Sequence, residues 1–125
     1  MTLLAKTLLK QIEKQICKSN NLKNPTKTIF ALDYLNNHLW FEIDGQDEKS
    51  SINQTKISDK LPITGEGSEK WSQITSFVVR LKELTSADEI HLIIATLDSK
   101  KGGFDCSVYY IKDNLKKFQK TFLDL

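Results

Sequence analysis

The strongest constraint on the fold of this chain lies in residues 28–44, where two alternating runs, 28–35 and 38–44, flank Asn36 and Asn37. Asparagine tolerates the positive φ that a two-residue hairpin turn requires, so the pair predicts a tight hairpin. Such a turn sets the cross-strand pairs Tyr34–Leu39, Leu32–Phe41 and Phe30–Ile43. These pairs make one side wholly apolar and leave the other mixed and acidic, as expected of a half-buried antiparallel pair.

Apolar residues at helical spacing predict an amphipathic helix over residues 4–16 and another over residues 68–84. Residues 89–97 and 104–111 predict a second hairpin. The first of its strands is apolar on both faces, which indicates a strand inside the sheet rather than at its edge.

Two further segments complete this reading. Residues 45–67 are polar and either add a short edge strand or form a long loop, which is unusual in a compact domain. Residues 112–125 predict a C-terminal helix, whose apolar stripe continues from Ile111. The chain is therefore expected to form one α+β domain over residues 1–125, with helix–hairpin–helix–hairpin order. We expect an antiparallel sheet of four to five strands packed by helices, followed by the C-terminal helix.

Composition places the chain among ordinary globular domains, with 125 residues, 39% hydrophobic and 27% charged. No apolar stretch approaches the roughly 20 residues that span a bilayer, and the N-terminus lacks the pattern of a secretory signal. We therefore expect a cytoplasmic protein that makes no membrane contact. Its two cysteines, Cys17 and Cys106, are expected to be free thiols in that reducing compartment.

The motifs of common enzymes and metal sites are missing from the sequence. The soft ligands are His38, His91, Cys17 and Cys106, and their spacing matches no zinc motif. Neither cysteine lies in a nucleophile motif; by periodicity Cys17 falls on the polar flank of the first helix and Cys106 on a core-facing strand position. We expect no metal, no cofactor and no enzymatic activity, with a small hydrolase as a weaker alternative.

The polar side of the first hairpin is the best candidate for a binding surface. By strand parity Trp40 points away from the apolar side and toward the carboxylates of Asp33, Glu42 and Asp44. A large aromatic residue amid charges is typical of a protein-binding hot spot, and His38 lies beside it. The alternative is that residues 45–67 or a helix cover Trp40.

A second candidate surface is the polar side of the predicted C-terminal helix, formed by Lys112, Lys116, Lys117 and Lys120. Such a surface could bind nucleic acid, although no exposed aromatic residue accompanies the lysines for base stacking. The formal net charge of +2 provides no global field toward nucleic acid. The composition favours the solvated side of a docking helix, so nucleic acid is the less expected partner.

The order of helices and hairpins, together with Trp40-Phe41-Glu42, resembles small bacterial immunity proteins of the YezG-like kind. The segments Leu92-Ile93-Ile94, Gly102-Gly103-Phe104-Asp105 and Tyr109-Tyr110 are similar in style to their last hairpin. The resemblance implies a cytosolic antitoxin that binds a cognate toxin domain and blocks its active site. The net positive charge of this chain departs from the acidic balance expected of a nuclease inhibitor, so the activity of the toxin stays open. The sequence leaves the oligomeric state open as well.

Overall fold

A computed structural model describes residues 3–47, 54–84, 90–100 and 103–110 of the chain. Their helices and strands are, in chain order, α1 Leu3–Ser19, β1 Leu22–Asp33, β2 His38–Asp47, β3 Gln54–Pro62, α2 Ser72–Leu84, β4 Ile90–Asp98 and β5 Gly103–Tyr110. The predicted α+β class with an antiparallel sheet is confirmed. The predicted C-terminal helix lies outside the described residues.

The strands form one five-stranded sheet in the order β3-β2-β1-β4-β5. Every neighbouring pair is antiparallel, and β1 lies at the centre. The segment 45–67 therefore contributes an edge strand, β3, which pairs with β2 from Gln46↔Gln54 to His38↔Pro62. β4 lies between β1 and β5, which agrees with its apolar residues on both faces.

The predicted register of the first hairpin is wrong by two residues. Leu32 pairs with Leu39 and Phe30 with Phe41, because the turn contains four residues, 34–37, instead of two. The Asp33 carboxylate accepts hydrogen bonds from the backbone N–H groups of Leu35 and Asn36, at 3.1 and 3.0 Å, and so closes the longer turn. A shift of two leaves every side chain on its predicted side of the sheet.

Both helices begin and end near their predicted positions, but their termini differ in detail. α1 ends at Ser19, and Asn21 has a φ of 54°, the left-handed conformation that often follows a helix. A 3₁₀ turn, Ser68–Trp71, precedes α2. Ser68 is therefore not the predicted cap of an α-helix, because its hydroxyl donates a hydrogen bond to the Gly65 carbonyl.

The hydrophobic core lies on one side of the sheet, called here the inner face. α1 contributes buried residues that include Leu9, Ile12 and Ile16, and α2 contributes Ile74, Val78 and Leu81. The sheet meets them with the apolar side predicted for the first hairpin and with three residues of β4, namely Phe30, Leu32, Leu39, Phe41, Ile43, Ile93, Ala95 and Leu97. The opposite side, the outer face, holds the predicted binding residues.

Candidate functional site

The outer face of β2 presents a row of polar and aromatic side chains, since His38, Trp40, Glu42 and Asp44 occupy alternate positions of one strand. Each of them is partly exposed. The structure therefore brings four of the five predicted binding residues together on one surface. What they bind stays a prediction.

Trp40 lies at the centre of this row and is half-buried. Its cross-strand neighbours are Ala31 on β1 and Lys60 on β3. The Lys60 ammonium nitrogen is 4.9 Å from the centroid of the indole ring, within range of a cation–π interaction. The His38 ring meets the indole edge to face at 6.1 Å between centroids. Lys60, which belongs to the segment 45–67, thus covers Trp40 in part.

The indole nitrogen of Trp40 is the polar atom of greatest interest here. Nε1 is buried and has no hydrogen-bond partner. Among the described residues it is the only buried side-chain nitrogen or oxygen atom without one. A buried donor left unpaired costs about 1–3 kcal/mol. Because the atom is buried, an acceptor of a partner would reach this N–H group only if the neighbouring side chains moved.

The predicted acidic rim is largely neutralised by lysines of β3. Lys56 Nζ lies 3.0 Å from Glu42 Oε1, and Lys56 is also the cross-strand neighbour of Asp44. The hydrogen bond to Glu42 raises the pKa of the Lys56 ammonium group. The ion pair is largely exposed, so it contributes little to stability. The surface around Trp40 therefore has mixed charge rather than an excess of negative charge.

Asp33, the fifth predicted binding residue, does not belong to the exposed surface. Its side chain is 2% exposed, and both carboxylate oxygens accept hydrogen bonds from the turn that follows β1. The second oxygen accepts from Asn36 Nδ2 at 2.8 Å. The carboxylate stabilises the turn and is not free to meet a partner, so we remove it from the candidate site.

A small apolar cluster adjoins Trp40 on the outer face. Ala31 and Leu92 are buried there, and Ile94 and Trp40 pack against them. Ala31 lies between its two cross-strand neighbours, Trp40 and Ile94. The outer face thus has a polar half over β2 and β3 and an apolar half over β1 and β4.

Sequence reasoning missed a second polar site, which lies where α1 meets β1. Thr28, buried on the inner face, donates a hydrogen bond from its hydroxyl to the carboxylate of Glu13. A neighbouring cavity of about 370 Å³ is lined by Lys6, Lys10, Glu13, Pro25, Thr26, Leu97, Asp98 and Ser99. One signal was present in the sequence, because Thr28 shares its strand parity with Phe30 and Leu32 and must find a partner inside.

The buried carboxyl group of Glu13 should make stability depend on pH. Burial raises the pKa of Glu13, and the Thr28 hydrogen bond and the charge of Lys10 offset part of that rise. A carboxyl whose pKa is raised on folding adds stability below its unfolded value, and this contribution is lost as the pH rises through the folded value. We expect the wild type to lose stability relative to Glu13→Gln as the pH rises above the ordinary value of 4.5.

Urea unfolding of both chains from acid to neutral pH measures this difference. Thr28→Val removes the hydrogen bond that favours the charged carboxylate, so its loss of stability should be steeper than that of the wild type. Wild-type and Glu13→Gln curves that stayed parallel across the range would contradict the assignment.

Cys17 is a buried free thiol, contrary to its predicted place on the polar flank of α1. Burial, followed by the nearby charge of Glu13, raises the pKa of Cys17 to about 11. Since the thiolate is the reactive form, this cysteine is a core residue and not a nucleophile.

The remaining predicted residues give no second site within the described part of the chain. Within the described ranges no three histidine, cysteine or acidic side chains converge as a metal site would require. Lys112, Lys116, Lys117 and Lys120 lie outside the described residues, as do the side chains of His91 and Cys106. Neither helix of the described part of the chain is long and apolar enough to cross a bilayer.

Comparison with protein families, curated proteins and solved structures finds no match. The candidate site therefore depends on the geometry of the outer face alone.

Proposed function

We propose that this chain is a cytosolic immunity protein, which binds a cognate bacterial toxin domain and blocks its active site without enzymatic activity or a cofactor of its own. The family resemblance from the sequence suggests this class. The helix–hairpin–helix–hairpin order and the C-terminal helix that the sequence predicts for this chain belong to the same proposal.

One observation supports binding more than any other, namely Trp40 on the outer face. A large aromatic side chain there is flanked by a histidine and by charged groups, and its indole N–H lacks a partner. Tryptophan residues in such surroundings dominate the energetics of many protein interfaces, and the polar groups around them exclude water. The polar half of the outer face is therefore the proposed contact surface.

The charges of this surface suggest the chemistry of the partner. Glu42 and Asp44 on β2 alternate with Lys56 and Lys60 on β3, so a complementary toxin surface needs charges of both signs. Such an arrangement favours specificity and orientation rather than fast electrostatic steering, which a net charge of +2 does not provide. The expected anchor on the toxin is a pocket that receives the exposed part of the indole ring.

The test is co-expression of the tagged chain with the product of the neighbouring gene, where the toxin of an immunity protein is usually encoded. We expect a stoichiometric complex that survives about 0.5 M salt, since exposed charge pairs are strongly screened there whereas an apolar anchor is not. The complex should also abolish the toxicity of the neighbouring product in cells.

Two results would overturn the proposal. One is a neighbouring product that neither binds nor harms the cell. The other is recovery of nucleic acid that washes off in the same salt, since phosphate contacts weaken steeply as salt rises. The second result would instead support the regulator that uses the four C-terminal lysines.

A further inference from the structure

The strand β3 forms one edge of the sheet, and its second side has no partner strand among the described residues. It pairs with β2 alone, over nine residues from Gln54 to Pro62. An edge strand presents unpaired backbone N–H and C=O groups, to which another chain can add a strand. The side chains of Lys56, Ser58 and Lys60 are exposed along β3, so the edge is accessible in the described part of the chain.

The hydrogen bonds to β2 show which backbone groups of β3 point outward. Ile63 directly follows β3 and continues its register, and its N–H group donates to the Asn37 carbonyl at 3.0 Å. Hydrogen-bonded pairs alternate with non-bonded pairs along an antiparallel ladder. The odd-numbered residues of β3 therefore bond to β2. The residues whose N–H and C=O groups point to the free edge are Lys56, Ser58 and Lys60.

One side chain already closes part of this edge. The Lys60 N–H group donates a hydrogen bond to Oδ1 of Asp59 at 2.7 Å. This contact agrees with the outward direction of that N–H group, and it occupies a donor that a partner strand would use. The N–H groups of Lys56 and Ser58 have no such contact with another described residue. The open part of the edge therefore lies at Lys56 and Ser58.

The side chains of β3 define the sequence of a strand that would fit this edge. Directly opposed residues of an antiparallel pair lie on the same side of the sheet and interact. On the outer face the added strand would meet Lys60, Ser58 and Lys56 in turn, which favours an acidic, a hydroxyl and an acidic residue. On the inner face it would meet the exposed Asp59 and the half-buried Ile57, which packs against the core. That side favours a basic residue followed by a β-branched apolar one.

The two lysines are held in positions from which they can receive such a strand. Contacts with Glu42 and Trp40 keep the ammonium groups of Lys56 and Lys60 on the outer face. An ammonium group has three donors, so a lysine that contacts β2 can also bond to a carboxylate on its other side. The added strand would therefore lie beside the polar half of the outer face and extend the surface around Trp40.

We propose that β3 is a docking edge for an extended segment of a partner protein, which adds to the sheet as an antiparallel strand. The segment carries the pattern acidic, basic, hydroxyl, apolar, acidic. A second copy of the chain fits this edge less well, because pairing about Ser58 would set Lys56 opposite Lys60. This inference goes beyond the proposed function, because it requires a matching extended segment and not a toxin.

The probe is the synthetic peptide acetyl-Glu-Lys-Thr-Val-Glu-amide, whose first residue opposes Lys60 and whose last opposes Lys56. Amide hydrogen exchange followed by NMR gives the readout. In the free protein we expect fast exchange of the Lys56 and Ser58 N–H groups and slow exchange of those of Ile57 and Asp59. The peptide should slow exchange at Lys56 and Ser58. A peptide with reversed charges, acetyl-Lys-Glu-Thr-Val-Lys-amide, should bind more weakly.

A pair of variants at Ser58 tests the backbone directly. Ser58→Pro removes an N–H group that points away from β2, so the ladder of β3 stays intact. It should weaken binding of the peptide roughly tenfold or more, because a strand hydrogen bond is lost. Ser58→Ala keeps the N–H group and should bind as the wild type does. Circular dichroism in the strand region reports whether each variant keeps its sheet.

Four results would overturn the inference. Unfolding by Ser58→Pro alone would show that this N–H group bonds to β2 and does not face the edge. Equal affinity of the peptide for Ser58→Pro and Ser58→Ala would show that binding does not use the edge. A wild type that leaves the peptide unbound at millimolar concentration would contradict the pattern. Protection of Lys56 and Ser58 that rises with protein concentration in the absence of peptide would assign the edge to a second copy.

Discussion

Phe30→Ala should lower the free energy of unfolding by about 3–5 kcal/mol, the usual range for a fully buried phenylalanine. Phe30 is 0% exposed and lies on β1, the central strand, where it faces the core helices. Its cross-strand neighbours are Phe41 on β2 and Ala95 on β4. Ala95 is small and leaves space that the phenyl ring of Phe30 fills. The substitution would leave a cavity there, which the sheet cannot close because both neighbouring strands hold β1 in place.

Urea unfolding followed by circular dichroism measures this loss. The matched control is Leu35→Ala, which removes an apolar side chain that is 53% exposed in the turn after β1. We expect that control to stay within about 0.5 kcal/mol of the wild type. Similar losses for the two variants would contradict the placement of the core on the inner face.

Trp40→Ala should weaken binding of the cognate toxin by at least about 2 kcal/mol, or roughly 30-fold in Kd. The substitution removes the largest side chain of the polar half and the indole N–H that lacks a partner in the free protein. It also leaves Lys60 without the ring over which its ammonium group lies. Titration calorimetry with the purified toxin domain, inactivated at its own catalytic site, gives the affinity directly.

Two variants separate the contributions to this effect. Trp40→Phe keeps an aromatic ring but loses the N–H donor and part of the apolar ring area, so it should weaken binding less than Trp40→Ala does. Trp71→Ala removes the other tryptophan, which packs against the core on the inner side of the sheet. Trp71→Ala should leave the affinity for the toxin unchanged under conditions in which the variant is folded. An unchanged affinity in Trp40→Ala would place the interface elsewhere.

The alternation of residues 28–44 is sufficient to predict the two faces of the first hairpin but not its register. Side chains in a strand repeat every two residues, so the predicted and observed pairings, which differ by two, bury the same residues. The choice between them depends on the turn. The Asp33 carboxylate accepts hydrogen bonds from the backbone N–H groups of Leu35 and Asn36 in the longer turn, a local pattern that favours four residues over the two suggested by the asparagines.

Cys17 and Glu13 show why helical periodicity fails at the margin of a stripe. Cys17 was expected on the polar flank of α1 and is buried, and Glu13 on the same helix is partly buried beside Thr28. α1 packs against α2 as well as against the sheet, as the shared core of Ile16, Ile74 and Val78 shows. Two neighbours bury a wider arc of the helix than one does, and the width of that arc is not visible in the sequence of the helix alone.

The sequence by itself determined the α+β class, the presence and the two faces of the first hairpin, and the shared side of Trp40, Glu42 and His38. These features depend on the side-chain periodicity of helices and strands, which is visible in a short stretch of sequence. Only the tertiary structure decided that Lys56 and Lys60 lie beside that row, that Asp33 is withdrawn into a turn and that Leu92 is buried on the outer face. These contacts join residues that are distant in the chain, and they depend on the register and order of strands, which side-chain alternation leaves undetermined.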